Sequence, residues 1–267
     1  MATDLIGYLL AVLVGVSLGL IGSGGSILTV PILVYVMGVN PVLATAYSLF
    51  VVGTTSLVGG VQNAIQKKVD FKTVFIFGIP SIIAVYLTRA YLMPLIPDVI
   101  FSIGNFEVTK PIALMVLFAI VMIFASISMI RPCPHCKDAD SGEIKYNYPM
   151  ILLEGTLVGT LTGLVGAGGG FLIIPALVLL AKMPMKLAVG TSLFIIAAKS
   201  LLGFTGDLQG NETIDWTLLS TFTGLSVVGI FIGIFLSKKI EGNKLKSAFG
   251  WFVLVMGIYI LIKELFL

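Results

Sequence analysis

Residues 19–25 read GLIGSGG, and the same pattern returns 144 residues later as GLVGAGG in residues 163–169. The match continues without a gap through residue 50, and 14 of the 32 positions from 19 to 50 are identical to their partners in 163–194. Apolar composition alone matches some leucines and glycines, but it does not reproduce an ordered set of Gly, Pro and Ser. The chain is therefore an internal duplication.

The composition requires a membrane. Of the 267 residues, 58% are hydrophobic and 11% are charged, whereas a soluble domain has roughly 25% charged residues. Long uninterrupted apolar runs favour spanning helices over a barrel, whose strands alternate in hydrophobicity. The predicted fold is an all-α polytopic membrane protein with a first repeat in 1–130, a polar linker in 131–147 and a second repeat in 148–267. The apolar runs are 5–22, 26–37, 41–61, 71–92, 111–130, 149–165, 170–181, 184–205, 215–237 and 247–267.

The charges of equivalent loops have opposite signs in the two halves. The loop after the third run carries Lys67, Lys68 and Lys72, and its counterpart carries Asp207, Glu212 and Asp215 with no base. One run later the signs are exchanged. Because cytoplasmic loops favour Lys and Arg, the repeats are predicted to be inverted, an arrangement typical of secondary transporters. We expect a multi-pass protein of the cell (inner) membrane, with 62–72 and 131–147 cytoplasmic and 206–214 and both termini external.

Each repeat has a glycine hinge before a short apolar arm of about 12 residues, or some 18 Å of helix, which does not cross a core of roughly 30 Å. We expect both hinges inside the membrane, with the N-termini of the two arms close together and available to an anion. Valine at Gly25 or Gly169 should then abolish transport. The alternative is that these glycines only allow tight packing, which we favour for the four-residue stripes upstream. The hinge residues predicted to bind substrate are Gly22, Ser23, Gly24, Gly25 and Ser26, with Gly166, Gly168, Gly169 and Gly170.

A polar stripe follows the third run of each half. Ser48, Thr55 and Gln62 recur every seven residues on one helix face, and Ser192 and Lys199 are the repeat partners of the first two. A lysine inside an apolar run is costly and indicates function; the alternative is that it snorkels to the outer surface. We therefore add Ser48, Thr55, Ser192 and Lys199 to the predicted substrate site.

Other reactive residues have simpler interpretations. An intramembrane serine nucleophile at Ser23 lacks a base, because the only histidine lies in the linker, so we expect no enzyme activity. Glu154 is either a proton-coupling carboxylate or an interfacial residue, and Arg89 is interpreted as an anchor at an outer helix end. Cys133 and Cys136 flank a histidine but offer at most three close metal ligands, so no metal or cofactor is predicted; a reduced, solvated pair is the simplest interpretation.

The duplicated Gly-x-Gly-Gly motifs, the prolines Pro31 and Pro175, and the Ala-x-x-x-Ser-Leu-Phe segments at 44–50 and 188–194 resemble the sulfite exporter TauE/SafE family. The resemblance covers essentially the whole chain. It implies transport of small anions, chiefly sulfite, thiosulfate or organosulfonates, often outward, and it points to the glycine motifs with Ser48 and Ser192. Lys199 is not part of that resemblance.

The predicted function is secondary transport of a small sulfur-containing anion. No nucleotide-binding motif is present, so an ion gradient should drive transport, and a proton is favoured over sodium as the coupling ion. The alternatives are a carrier of carboxylates or another small anion, and a passive anion channel. The lipid bilayer and the substrate are the expected partners; the basic residues lie in separate loops, so nucleic acid is not, and an oligomer is left open.

Overall fold

The computed structural model describes residues 2–22, 25–103, 106–130, 148–166, 168–179, 183–208, 214–237 and 242–266. Ser23, Gly24 and the linker 131–147 with both cysteines lie outside the described residues. In the first half the helices are α1 Ala2–Ile21, α2 Ser26–Pro31 with a π-helical turn Ile32–Val36, α3 Pro41–Ile65, α4 Phe71–Leu87 with a π-helical turn Thr88–Leu92, α5 Met93–Leu95 and α6 Lys110–Ile130. In the second half they are α7 Tyr148–Val165, α8 Gly170–Leu179, α9 Met185–Asp207, α10 Trp216–Ser237 and α11 Gly242–Phe266.

The predicted fold class is confirmed: the described chain is helical, and five of its helical spans are long and apolar enough to cross a membrane. The helix bounds fall within a few residues of the apolar runs, with one difference. In the run 71–92 the regular α-helix ends at Leu87. After α5 the chain forms a two-stranded antiparallel hairpin of β1 Val99–Ile103 and β2 Phe106–Thr109. Local signals set two of the helix starts, because Asn40 caps α3 ahead of Pro41 and Asp70 caps α4.

The helices pair in a pattern that is unchanged when the two halves are exchanged. α1 packs on α10, and its repeat partner α7 packs on α4, the partner of α10. α3 packs on its own partner α9, and α6 on its own partner α11. In α3 and α9, 67% of the spanning window is buried, against 39–44% in the other three spans. The α3–α9 pair is therefore the centre of the molecule.

α3 and α9 run antiparallel. A Cβ added at Gly53 would meet Leu201, one at Gly60 would meet Phe194 and one at Gly203 would contact Leu49, so the numbers of neighbouring residues add up to about 254. Repeat partners differ by 144, so the one pair of repeat partners that lies at the same level of the two helices is Thr55 and Lys199 (55 and 199 add to 254). Thr55 and Lys199 thus lie at the level of the pseudo-two-fold centre of the helix pair.

The four-residue stripes of small residues on α1 and α7 are packing faces, as the sequence predicts. A Cβ on Gly19 would lie 2.7 Å from the Ile234 nitrogen of α10, and a Cβ on Gly159 would lie 2.8 Å from the Ala84 Cβ of α4. Such close helix crossings are possible only with glycine or another very small residue. The α1–α10 and α4–α7 crossings therefore leave no room for larger side chains at these positions.

Alanine at Gly159 is expected to lower the free energy of unfolding by about 1–3 kcal/mol, because the added methyl group overpacks the α4–α7 crossing. The measurement is the Tm of the purified protein. Gly224→Ala is the matched control, since a Cβ on Gly224 of α10 has no atom within 4 Å. Equal Tm values for the two variants would contradict the packing role.

The two ends of the central helix pair are named here by their basic residues. At the lysine end, the α3–α4 turn with Lys67 and Lys68 packs on the start of α9, where the Asp70 nitrogen donates to Thr191 Oγ1 at 2.9 Å. At the arginine end, the start of α3 meets the end of α9 and Arg89, which follows α4. The Asp215 nitrogen before α10 also donates to Tyr47 Oη here, at 2.6 Å.

Candidate functional site

The two glycine hinges adopt backbone conformations that favour glycine. The φ angles of Gly22, Gly166, Gly168 and Gly169 are 82°, 73°, 65° and 60°. Side-chain-bearing residues rarely adopt this left-handed region, so these positions need glycine for the turn itself. Gly25 differs from its partner Gly169, because its φ is −64° and any residue can adopt it. At Gly25 the restriction is space alone: a Cβ would lie 2.5 Å from the Val14 carbonyl oxygen.

Each hinge packs against the central helix of the opposite repeat. Gly22 contacts Val189 on α9, and Gly166 contacts Thr45 on α3. Thr45 and Val189 are themselves repeat partners, so the two contacts are the same contact with the halves exchanged. The hinges are thus held by the α3–α9 pair rather than by loops in solvent.

The second hinge reaches the centre of that pair and the first residue of the opposite arm. A Cβ on Gly168 would lie 2.6 Å from Val52 Cγ1, 3.4 Å from Ile196 Cγ2 and 3.4 Å from Ser26 Cβ. Val52 and Ile196 are repeat partners. The N-terminus of α2 therefore approaches the turn that precedes α8, as the sequence predicts for the two arms.

Lys199 places its ammonium group against this hinge. Its side chain has 0% exposure, and Nζ donates to Thr162 Oγ1 on α7 at 3.0 Å. A Cβ on Gly169 would lie 2.7 Å from Nζ, so only a glycine leaves room for the amine at that position. The snorkelling alternative does not describe this arrangement, because the side chain ends inside the protein beside the backbone of the second hinge.

The start of α8 adds partial positive charge at the same place. Leu172 and Ile173 donate their N–H groups to the Gly169 carbonyl, so the N–H groups ahead of them have no acceptor within the helix. Together with the helix dipole, these groups favour an anion at the N-terminus. Gly168, Gly169, Gly170, Thr162 and Lys199 therefore form the candidate site, with Ser26 next to it.

The remaining predicted residues divide into two groups. Thr55 is fully buried at the level of Lys199, and its hydroxyl has no partner among the described residues. Ser48 and Ser192 lie seven residues before Thr55 and Lys199, about 10 Å away along their helices. The Ser192 hydroxyl donates a hydrogen bond to the Val189 carbonyl of its own helix. The structure therefore places Thr55 at the level of the candidate site and the two serines about 10 Å farther along their helices. Gly22 and Gly166 are the first residues of the two hinges.

Arg89 is not the interfacial anchor that the sequence predicts. Its side chain is 1% exposed and is enclosed by α3 and α9, where Nη1 donates to Thr45 Oγ1 at 3.0 Å and lies 3.3 Å from Asp207 Oδ1. The interpretation was wrong because the helical path does not end at Arg89. After α4 the chain continues as a π-helical turn and then as α5, so Arg89 stays inside the protein. Glu154 is half-buried on α7, and its role stays open.

The family comparison agrees with this architecture. A model of the sulfite exporter TauE/SafE family matches residues 7–260, nearly the whole chain. The chain belongs to the sulfite exporter TauE/SafE family. A relative from Xylella fastidiosa, named a probable membrane transporter protein, is 29% identical over 253 residues, covering 93% of this chain and 91% of the relative. YunE of Bacillus subtilis, with the same description, is 26% identical over 283 residues, covering 96% and 97%.

Membership of the TauE/SafE family confirms the resemblance and makes the protein a membrane transporter rather than an enzyme. No solved structure matches the chain. Two residues of the candidate region, Thr162 and Asp207, are not among those predicted from the sequence. Nothing in the sequence distinguishes Thr162 from the other threonines of apolar runs. Asp207 was interpreted only as a charge of an external loop, whereas the structure makes it the partner of the buried Arg89.

Proposed function

We propose that this transporter carries sulfite, thiosulfate or an organosulfonate, and that the anion binds between Lys199, Thr162 and the N-terminus of α8. The observation that carries the proposal is a fully buried ammonium group in contact with a left-handed glycine hinge. A buried cation is costly in a membrane protein unless it has a functional partner. An oxyanion is such a partner, because it accepts hydrogen bonds from the ammonium group and from the free N–H groups of the helix start.

The asymmetry of the site supports a single anion at Lys199. Position 55 is threonine where its partner is Lys199, and position 26 is serine where its partner is Gly170. The pseudo-two-fold centre therefore has hydroxyl groups on one side and a full positive charge on the other. Hydroxyl groups such as Thr55 Oγ1, which has no partner in the described part of the chain, suit the remaining oxygens of a sulfur oxyanion.

The exchange of contacts between the halves supports alternating access by inverted repeats. α3 and α9 run antiparallel, and each hinge packs on the opposite repeat in an equivalent way. Inverted repeats of this kind can exchange their conformations, which gives two equivalent states of the protein: one opens the site to one side of the membrane and the other opens it to the opposite side. Because no nucleotide-binding motif is present in the sequence, we propose that an ion gradient drives transport. We further propose a proton as the coupling ion and export as the direction.

Binding to the purified protein tests the substrate class. Sulfite, thiosulfate, taurine and acetate are each titrated by calorimetry and followed by thermal shift. We expect the sulfur anions to bind and acetate to bind at least tenfold more weakly, about 1.4 kcal/mol. Tighter binding of acetate would overturn the sulfur assignment in favour of a carboxylate carrier. Flux into liposomes that does not saturate and needs no counter-gradient would indicate a channel.

Orientation is tested with the native cysteines. If the lysine end and the linker face the cytoplasm, an impermeant maleimide added to intact cells leaves Cys133 and Cys136 unlabelled, while inside-out vesicles are labelled within minutes. The reason is the concentration of Lys67, Lys68 and Lys72 in one loop, as cytoplasmic loops favour. Equal labelling rates in the two preparations would reverse the proposed orientation with both termini external.

A further inference from the structure

Arg89 has an unused hydrogen-bonding edge. Both described hydrogen bonds of the Arg89 side chain come from Nη1, which donates to Thr45 Oγ1 and to Asp207 Oδ1. Nε and Nη2 of Arg89 and Oδ2 of Asp207 are buried and have no hydrogen-bond partner among the described residues. The ion pair thus uses one nitrogen of the guanidinium group, and the Nε–Nη2 edge has no acceptor in the part of the chain that the structure describes.

This geometry is poor for stability but suited to an anion. Buried donors without acceptors cost free energy, and a buried ion pair offsets its desolvation only when the other donors are also satisfied. The Nε–Nη2 edge presents two parallel N–H groups that match two oxygens of an oxyanion. An anion bound there would satisfy the donors that the protein leaves open.

The second hinge connects Arg89 with Lys199. Thr45, which accepts from Arg89, lies against Gly166, and a Cβ on Gly166 would be 2.5 Å from Thr45 Cβ. Three residues later, Gly169 lies against Lys199 Nζ. Three residues span at most about 10 Å, so the two buried cations lie at the two ends of one short turn of backbone.

We propose that the Nε–Nη2 edge of Arg89 is a second oxyanion site, at the arginine end of the path to Lys199, and that Asp207 is the internal competitor that holds Arg89 when the anion is absent. The identity of the anion rests on the proposed function, whereas the site itself rests on Arg89, Asp207 and Thr45. An anion leaving Lys199 along the second hinge would then meet Arg89 at the arginine end.

Calorimetric titration of the full-length protein with sulfite and, separately, with acetate tests this site. Asp207→Asn removes the competing charge and keeps the shape, so the anion should bind about threefold to tenfold more tightly. The double variant Arg89→Gln/Asp207→Asn keeps a neutral hydrogen-bonding pair and should bind about tenfold more weakly than Asp207→Asn. Lys67→Met is the control. It removes the charge of an exposed side chain at the lysine end and should leave the affinity unchanged.

The outcomes separate this proposal from the function proposed for Lys199. If Asp207→Asn lowers Tm but leaves the affinity unchanged, or if the double variant binds as tightly as Asp207→Asn, the Arg89 site is overturned. If Lys199→Met binds normally while Asp207→Asn still tightens binding, the Lys199 assignment falls and the Arg89 site stands. Effects seen with acetate and not with sulfite keep the Arg89 site and overturn the sulfur substrate. Failure of both anions to bind the unmodified protein would overturn both proposals.

Discussion

Valine at Gly169 is expected to abolish anion binding and transport, with at least a 100-fold loss of affinity, about 2.7 kcal/mol. Gly169 has φ of 60°, a conformation that costs a β-branched residue of order 1–3 kcal/mol. In addition, any Cβ there meets Thr162 Oγ1 and lies 2.7 Å from Lys199 Nζ. The side chain would displace the ammonium group from the hinge and occupy the space in front of α8. Calorimetry on the purified variant and flux in liposomes measure the two losses.

Two controls separate the site from general damage to the fold. Gly78→Ala in α4 adds a Cβ with no atom within 4 Å and should keep wild-type affinity, whereas Gly169→Ala should already lose most of it. Gly25→Val, for which the sequence alone predicts loss of transport, meets α1 without backbone strain, so the structure changes the expectation to a lower Tm with a smaller effect on affinity. Wild-type affinity in Gly169→Ala would contradict a site at the second hinge.

Methionine at Lys199 is expected to weaken anion binding roughly 5- to 150-fold, equivalent to about 1–3 kcal/mol. The ammonium group attracts an anion by about 4 kcal/mol at 4 Å for an effective dielectric constant near 20, and desolvation offsets part of this. Methionine keeps much of the length of the side chain and removes a buried charge, so the variant should fold and should not lose Tm. Lys199→Arg keeps the charge and should retain part of the binding.

The sequence predicted the framework because its signals are strong and repeated. Hinges, short arms and paired runs all follow from the duplication, and the described residues have the α1–α2 and α7–α8 breaks and the short helices after them at the expected positions. It also pointed to Lys199, since a lysine in an apolar run has few structural explanations. The inversion of the repeats in the membrane was inferred from loop charges, and the antiparallel α3–α9 pair supports it without showing the membrane.

What the sequence did not predict depends on contacts between distant segments. Thr162 is one of several threonines in apolar helices, and only the approach of α7 to α9 makes it the partner of Lys199. The pairing of Arg89 with Asp207 needs the end of α4 and the end of α9 at one level. The β1–β2 hairpin had a local signal, because β-branched and aromatic residues flank Gly104 and Asn105, but it stood among apolar runs interpreted as helices.

The central claim is that a buried lysine at the pseudo-two-fold centre binds the transported anion. Its most direct test is a set of sulfite-binding isotherms on the purified wild-type protein, Lys199→Met and the exposed-charge control Lys67→Met, each checked by its Tm. We expect a dissociation constant raised at least fivefold in Lys199→Met and unchanged in Lys67→Met, with equal Tm values. The same dissociation constant in all three proteins would contradict the claim and remove Lys199 from the site.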